Sequence, residues 1–327
     1  TEGGLKWLSP RAVSLAGKAS HYAGVLAERH MRHGLVADCR LARFGDTAHV
    51  TQTDSDNNGL WTAIALVAAY FEYELTRSDE ARARASKLFG GLRLLHDVTG
   101  VRGLMARSAC DPLEGPGGRR TCGGDASGDR RHWVNSSAPG FEGWPWKSDT
   151  SSDEVTGHIF ALSVAANLAP RAAERSDALR LLRDTLSRIV VGGDVLRDET
   201  GVPTTWGRWD PLTVNRVRDR SDGRGVSSVQ MIAYLAAAMN VTQPGSADWN
   251  TLTAAYHELT NSTNGYLVNA LNLKITTPTD DNFSDDELAF LPLYTALTAC
   301  PADSPCASIV DRGALLAALG RTWSTVR

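Results

Sequence analysis

The sequence predicts an all-α protein arranged as an α/α toroid, in which an inner ring of helices is wrapped by an outer ring. Apolar residues recur at helical spacing along nearly the whole chain, and the alternation typical of strands is scarce. The predicted helices come in pairs: the first is rich in alanine and apolar on nearly every side, and the second carries charges along one side. A helix that is apolar on every side must be buried on every side, whereas a helix with charges along one side exposes that side to solvent. The pattern therefore predicts a single domain over residues 1–327, which can stand alone or be one module of a longer chain. A plain α-solenoid is the alternative arrangement.

The predicted elements begin with an amphipathic helix over residues 10–32, followed by a short strand or irregular arm over 35–44. Four helix pairs follow, at 60–76 with 79–98, 154–168 with 176–191, 226–240 with 247–260, and 287–299 with 306–323. Two helix starts fit the capping box, in which a serine and a glutamate satisfy each other's backbone N–H groups: Ser151 with Glu154 and Ser284 with Glu287. Together the elements predict a toroid of about five or six hairpins.

The charge and hydropathy of the chain exclude two classes of protein. The chain has 34 Lys and Arg residues against 37 Asp and Glu, which gives a net charge of -3. It therefore lacks the excess of basic residues that is typical of a nucleic-acid-binding protein. The most apolar stretch, residues 60–71, is too short to span a membrane. We therefore expect no nucleic-acid partner and no membrane span.

Five cysteines indicate an oxidising compartment. Cys110 and Cys122 bracket one loop rich in turn-forming residues, and Cys300 and Cys306 bracket another, so each pair is predicted to form a local disulfide. Cys39 would remain as a buried thiol, and no spacing typical of a zinc site occurs. All five cysteines being reduced is the alternative.

Four sequons favour a secreted glycoprotein. They are at Asn135, Asn240, Asn261 and Asn282, which is more than about two expected by chance. The chain starts at Thr1 with no apolar signal segment, so we expect either that a signal has been removed or that the chain is a piece of a longer one.

A polar, acidic loop precedes the first helix of each pair. The four loops read TDSDNNG (53–59), KSDTSSDE (147–154), RDRSDGRG (218–225) and TTPTDDNFSDDE (276–287). In a toroid these loops converge at one mouth of the ring and would collect carboxylates beside helix N-termini. Helix capping is the alternative for each acid, because Asp, Ser and Asn are preferred N-caps and first-turn acids complement the helix dipole. That dipole favours the ionised form, which suits a base or nucleophile better than a general acid.

The candidate catalytic residues are the acids of these loops and one histidine: Asp56, Asp149, Asp153, Glu154 and His158. Glycoside hydrolysis needs two carboxyl groups facing one bond, so Asp153 or Glu154 would pair with Asp56 or Asp149. Glu154 and His158 lie four residues apart on one helix face and could act as an acid–base pair. A surface pair or a core histidine is the other interpretation of that spacing.

The same loop partly matches a calcium motif. Asp54, Asp56 and Asn58 occupy the first half of D-x-[DN]-x-[DN]-G, but the twelfth position is Ala65 instead of a glutamate. We therefore expect no complete EF-hand and no cofactor, with a partial calcium site as the weaker alternative.

Tryptophans in predicted loops suggest sugar binding. Nine Trp stand beside seven Phe, and Trp144, Trp146, Trp206 and Trp209 fall in segments predicted as loops, where they could stack on sugar rings beside the carboxylates. Arg208 is predicted to position the ligand. Pinning the loops by local burial is the alternative role of the tryptophans.

Several sequence segments resemble those of secreted α/α-toroid carbohydrate-active enzymes, which include the six-hairpin glycosidases and the toroidal polysaccharide lyases. The segments are TDSDNNGLWTAIALVAAYFEYELTRSDEARARA, TGVRGLMARS, KSDTSSDEVTGH and PTTWGRWDP. The first is also similar to unsaturated-glucuronyl hydrolases, which use Asp residues at inner-helix starts to protonate a vinyl ether. The resemblance is architectural and covers most of the chain from Thr53 onward; by location it places Asp56, Asp149 and Asp153 where such a residue would lie.

Together these observations predict a secreted protein that acts on a glycan, with a glycoside hydrolase as the leading hypothesis. A non-catalytic carbohydrate-binding or structural module of a larger extracellular protein is the second. A polysaccharide lyase is the third: it would use His158 or Tyr266 as base, and the arginines that could line an anionic subsite are Arg216, Arg218, Arg220 and Arg224.

Overall fold

Helices dominate the fold, which confirms the all-α class. The computed structural model describes residues 12–113, 132–218, 223–272 and 283–325. Its helices are α1 (Leu15–Val25), α2 (Asn58–Thr76), α3 (Asp79–Asp97), α4 (Ser152–Leu168), α5 (Ala172–Val191), α6 (Pro211–Arg216), α7 (Arg224–Asn240), α8 (Ala247–Thr260), α9 (Tyr266–Ala270), α10 (Phe283–Ala299) and α11 (Arg312–Thr325). The predicted pairs correspond to α2–α3, α4–α5, α7–α8 and α10–α11.

Short antiparallel strands form the arms between the helix pairs. They are β1 (Met31–Arg32), β2 (Leu35–Val36), β3 (Asp38–Leu41), β4 (Val50–Thr53), β5 (Ser108–Ala109), β6 (Trp133–Asn135), β7 (Pro145–Lys147), β8 (Val195–Arg197) and β9 (Pro203–Arg208). Their pairing is β1 with β2, β3 with β4, β5–β7–β6, and β8 with β9.

The predicted helix over residues 10–32 is shorter than expected. After α1 the chain continues as one π-helical turn over Leu26–His30 and then enters β1. The chain reverses at His33 and Gly34, both of which have positive φ. The arm predicted over 35–44 is made of β2 and β3.

Four helices, α2, α4, α7 and α10, form the centre of the molecule, and we call them the central helices. They pack on one another, with α2 against α4, α4 against α10, and α10 against α7. Gly157 permits the first of these contacts, because a Cβ there would lie 2.8 Å from the Cα of Leu60. Helices α3, α5, α8 and α11 cover the central group, each packed against the helix that precedes it in its pair.

The starts of the central helices lie together at one end of the molecule. Leu60, Val226 and Leu288, from the first two turns of α2, α7 and α10, form one apolar cluster. The start of α4 joins them, because Glu154 Oε1 accepts a hydrogen bond from the N–H of Leu60 at 3.2 Å. The starts of the four central helices are therefore close to one another; the loops before α7 and α10 lie largely outside the described residues, so the convergence of all four loops stays a prediction.

Only half of the first capping box forms. Ser151 Oγ accepts from the N–H of Glu154 at 3.5 Å, but the Glu154 carboxyl turns to α2 instead of to its own helix start. The Ser284 side chain lies outside the described residues, so the second box stays a prediction.

Of the two predicted disulfides, Cys300–Cys306 is present, with Cα atoms 5.5 Å apart. Cys122 lies outside the described residues, so its pairing with Cys110 stays a prediction. Cys39 is a free thiol that is half-buried instead of buried.

The sequons at Asn135, Asn240 and Asn261 are exposed, and Asn282 lies outside the described residues. Within the described ranges, no helix is both long enough and apolar enough to cross a membrane.

Candidate functional site

The starts of the central helices bring together a group of charged and polar side chains that we call the helix-start site. Its members are Asp56, Asn57, Arg107, Lys147, Asp153 and Glu287. Asp56 and Asn57 directly precede α2, Asp153 lies in the first turn of α4, and Glu287 begins the second turn of α10. The two basic residues come from neighbouring strand positions, since the N–H of Arg107 donates to the carbonyl of Lys147 at 2.9 Å.

Asp56 is held by the two basic residues. Lys147 Nζ donates to its Oδ1, and Arg107 Nη2 lies 3.8 Å from its Oδ2. Arg107 Nε also donates to the Asp56 carbonyl at 2.7 Å. The Asp56 side chain is 54% exposed, whereas those of Lys147 and Arg107 are nearly buried. The cations are thus fixed beneath an accessible carboxylate, which suits binding and positioning of a polar ligand.

Asp153 and Glu287 are carboxyl groups with unequal environments. Asp153 lies two residues after the N-cap Ser151, where the helix dipole favours negative charge, and Asn57 Nδ2 donates to its Oδ2 at 3.5 Å. Burial, and then the negative charge of Asp153, raises the pKa of Glu287 above its usual value. Glu287 therefore retains its proton to higher pH than a glutamate in water does.

Glu154 and His158 are fully buried, with 0% of either residue exposed. Neither can contact a glycan, so the prediction that they form a catalytic acid–base pair is wrong. Their facing atoms, Oε2 and Nε2, are 3.9 Å apart, and His158 Nδ1 shares a 2.9 Å hydrogen bond with His96 Nε2. Glu154 Oε1 instead accepts a hydrogen bond from the N–H of Leu60, in the first turn of α2, at 3.2 Å. It acts as a cap supplied by another helix.

Burial sets the protonation of this buried group. It raises the pKa of Glu154 well above its usual value, an effect that Arg107 opposes. Burial also lowers the pKa of His96 to about 3, and the charge of Arg180 lowers it further by a smaller amount. The pKa of His158 is lowered well below its usual value, mainly by burial and to a smaller extent by His96. The histidines are therefore neutral in the folded protein.

We expect the two histidines to make the fold sensitive to acid. In the unfolded chain they take up protons below about pH 6.5, but in the folded chain they remain neutral, so their contribution to stability is complete above that pH and is lost as the pH falls. Each contributes a slope of about 1.4 kcal/mol per pH unit. Urea unfolding at pH 7, 6 and 5 should therefore show a shallower loss of unfolding free energy in His96→Gln than in the wild type. His257→Gln, which changes an exposed histidine, is the control. An equal slope in His96→Gln and His257→Gln would contradict this assignment.

Asp149 and Arg208 are used within the fold. Asp149 Oδ1 accepts from the N–H of Thr205 at 2.7 Å and ties the loop before α4 to β9. Arg208 Nε donates to the carbonyl of Thr204 at 2.9 Å within the same strand. The backbone of Asp149 adjoins the helix-start site, because its carbonyl accepts from Arg107 Nη1 at 3.4 Å.

The tryptophans divide into buried and accessible groups. Trp146 and Trp209 are fully buried, and Trp209 Nε1 donates to Gln230 at 2.8 Å. Their ring faces are covered, so the prediction that they are sugar platforms is wrong for these two. Trp144 is half-buried and packs edge to face on Phe141. Trp206 is 53% exposed, and its role as a sugar platform stays a prediction.

The partial calcium motif is used by protein groups instead of an ion. Asp54 is buried and its Oδ1 forms an ion pair with Arg32. Asn58 Oδ1 accepts from the N–H of Ser55 at 3.1 Å, and Asn58 Nδ2 donates to Ser108 at 2.9 Å. In the part of the chain that is described, no three His, Cys, Asp or Glu side chains are placed to hold a metal ion. The loop closes the start of α2.

The lyase hypothesis loses both of its candidate bases. His158 is buried, as is Tyr266, whose hydroxyl donates to the Trp209 carbonyl at 2.5 Å. Among the arginines proposed for an anionic subsite, Arg216 and Arg224 line one cavity. Arg218 is exposed, and Arg220 lies outside the described residues.

Sequence reasoning missed four members of the helix-start site. Glu287 ends the fourth acidic loop, so comparison with the Asp153 loop could have identified it. Asn57 was overlooked within the calcium-like motif. For Arg107 and Lys147 the sequence holds no such signal, because their contacts with Asp56 join segments that are 51 and 91 residues apart.

Comparison with protein-family models, curated proteins and solved structures finds no match to this chain.

Proposed function

We propose that this protein is a glycoside hydrolase that uses Asp153 and Glu287 as its pair of carboxyl groups. The observation that carries the proposal is that the starts of α4 and α10, which carry Asp153 and Glu287, meet the start of α2 at one end of the molecule. Glycosidases need one carboxyl group that keeps its proton and one that is ionised, on opposite sides of the scissile bond. Glu287, whose pKa is raised, suits the first role, and Asp153 suits the second.

In this mechanism Glu287 protonates the glycosidic oxygen as the bond to the anomeric carbon breaks. Asp153 faces the positive charge that develops on the sugar and either attacks the anomeric carbon or accepts a proton from the attacking water. Asn57 orients Asp153 by donating to its Oδ2. The ion-paired Asp56 and the exposed Trp206 would bind sugar hydroxyls and a ring face.

We further propose that the protein is secreted and that its four helix pairs form an α/α toroid. The alternation of central and covering helices supports the toroid, in which the helix-start site occupies the mouth. The Cys300–Cys306 disulfide and the three exposed sequons support secretion, because disulfides persist in oxidising compartments.

The test is the release of reducing ends from a panel of neutral and acidic glycans by the wild type and the variants Asp153→Asn and Glu287→Gln. We expect each variant to lose activity at least about 100-fold, the usual effect of removing an acid or base. The rate of the wild type should fall as the pH rises through the pKa of Glu287, because the proton donor is then lost.

Asp248→Asn is a matched control, since Asp248 also lies two residues after a serine N-cap, Ser246 on the covering helix α8. It should retain full activity. Wild-type levels of product from Asp153→Asn would refute the assignment. If the wild type and every variant bind glycans but release no reducing ends, the protein is a non-catalytic glycan-binding module and not a hydrolase.

A further inference from the structure

A polar cavity of about 470 Å³ lies at the start of α7, against the connection between α8 and α9. Its polar lining includes Asn215, Arg216, Arg224, Ser262, Thr263 and Asn269. This volume is in the range of small-ligand sites and suits one sugar residue. The residues Leu212 and Val268 also line it and are largely exposed, so apolar surface is available for a sugar face.

The described lining of the cavity is positively charged. Two arginines line it, and no Asp or Glu is present among its described lining residues. Arg224 is fixed at the cavity wall, because its Nε and Nη2 donate to the carbonyls of Val214 and Asn215 at 3.2 and 3.4 Å. Arg216 is exposed and has no hydrogen bond or ion pair with any described residue. Guanidinium groups in this setting favour a carboxylate or a sulfate.

The polar floor of the cavity is held rigid by amide side chains. Asn215 Nδ2 donates to the carbonyl of Asn264 at 2.9 Å. Asn269 Nδ2 donates to Asn215 Oδ1 and to Ser228 Oγ, each at 3.1 Å. The floor is therefore organised before a ligand arrives, which lowers the entropy lost on binding.

The cavity lies at the same end of the molecule as the helix-start site. Arg224 precedes Val226 by two residues, and Val226 packs against Leu60 and Leu288 at the start of α2 and α10. Leu288 follows Glu287 directly. A glycan held at the helix-start site could therefore extend toward the cavity.

We propose that this cavity binds the acidic group of a charged sugar residue, so that the glycan recognised by the protein carries carboxylates or sulfates. The inference rests on the proposed function for its choice of a sugar. Arg216 and Arg224 neutralise the anion, and the hydroxyl and amide groups of the wall bind the sugar hydroxyls.

The experiment measures binding by calorimetry with three probes: methyl glucuronide, methyl glucoside and inorganic sulfate. We expect the wild type to bind the glucuronide at least tenfold more tightly than the glucoside, and Arg216→Gln to remove that preference. Arg224→Gln should act in the same way, and because the Arg216 side chain is exposed, its variant remains informative if the Arg224 variant fails to fold. Arg82→Gln, on the exposed side of α3, is the control and should bind as the wild type does.

Three results would overturn the inference: equal affinity for glucuronide and glucoside, no effect of Arg216→Gln, or sulfate bound as tightly as the glucuronide, which would indicate a general anion site. Failure of the proposed hydrolysis is separable, because the glucuronide preference should persist in Asp153→Asn. If the protein binds the glucuronide but releases no reducing ends, the inference about the cavity stands and the proposed hydrolase function is refuted.

Discussion

Replacement of Gly91 by alanine is expected to destabilise the protein by about 3 kcal/mol, whereas the same change at the adjacent Gly90 should stabilise it by about 0.5–1 kcal/mol. A Cβ at Gly91 would lie 2.4 Å from the carbonyl carbon and oxygen of Gly34 and 2.8 Å from the nitrogen of Leu35. These are backbone atoms, so no side chain can rotate away to relieve the contact. Gly90 is exposed, and a Cβ there would have no atom of another described segment within 4 Å.

The contact at Gly91 fixes the β1–β2 turn against α3. Gly34 has a φ of 81°, and a Cβ there would lie 2.2 Å from the carbonyl oxygen of Lys87, so both sides of the contact require glycine. The turn places Leu35 in the core, and the N–H of Val36 donates to Thr62 Oγ1 on α2 at 2.8 Å. Separation of the turn from α3 would therefore expose apolar surface and break a buried hydrogen bond.

The measurement is the unfolding free energy of the wild type and the two variants from urea titration. Because both glycines lie in one helix, the difference in helix propensity is the same for both changes. Equal stability of the two variants would mean that the turn does not lie on α3 in solution.

The helix pairs could be predicted from the sequence because helical periodicity is local. The all-round apolar character of α4 and α7 also identified them as buried helices, which the structure confirms. Strand pairing depends on residues far apart, and the strands here are two to six residues long, too short for a clear alternation.

The predicted site was right about the location of the helix starts and wrong about several side chains. Glu154 was selected because it ends an acidic loop and lies four residues before His158, but its Oε1 accepts from the N–H of Leu60, which is 94 residues earlier at the start of α2. Trp146 was selected as a loop residue, yet it lies in β7 and faces the core. A sequence shows that such residues are near a helix start but not which side of the loop meets the core.

Glu154→Ala is expected to destabilise the protein by about 4 kcal/mol, and Glu154→Gln by much less. Alanine would leave the buried N–H of Leu60 without this acceptor, at about 1–3 kcal/mol, and the cavity left by the side chain would add to the loss. Glutamine keeps an oxygen in the accepting position. A loss of the same size in both variants would show that the carboxyl group does more than accept this hydrogen bond.

The pH dependence of the same variants tests the protonation of Glu154. Because burial raises the pKa of Glu154 above the usual 4.5, the folded state holds this proton more tightly than the unfolded chain. The carboxyl group therefore stabilises the fold fully below pH 4.5, and this contribution falls by up to about 1.4 kcal/mol per pH unit until the folded pKa is reached. The unfolding free energy of the wild type relative to Glu154→Gln should decrease from pH 5 to pH 7, since glutamine does not titrate. A difference that stays constant over this range would contradict the buried, protonated state, and with it the account of Glu154 as a neutral cap between α4 and α2.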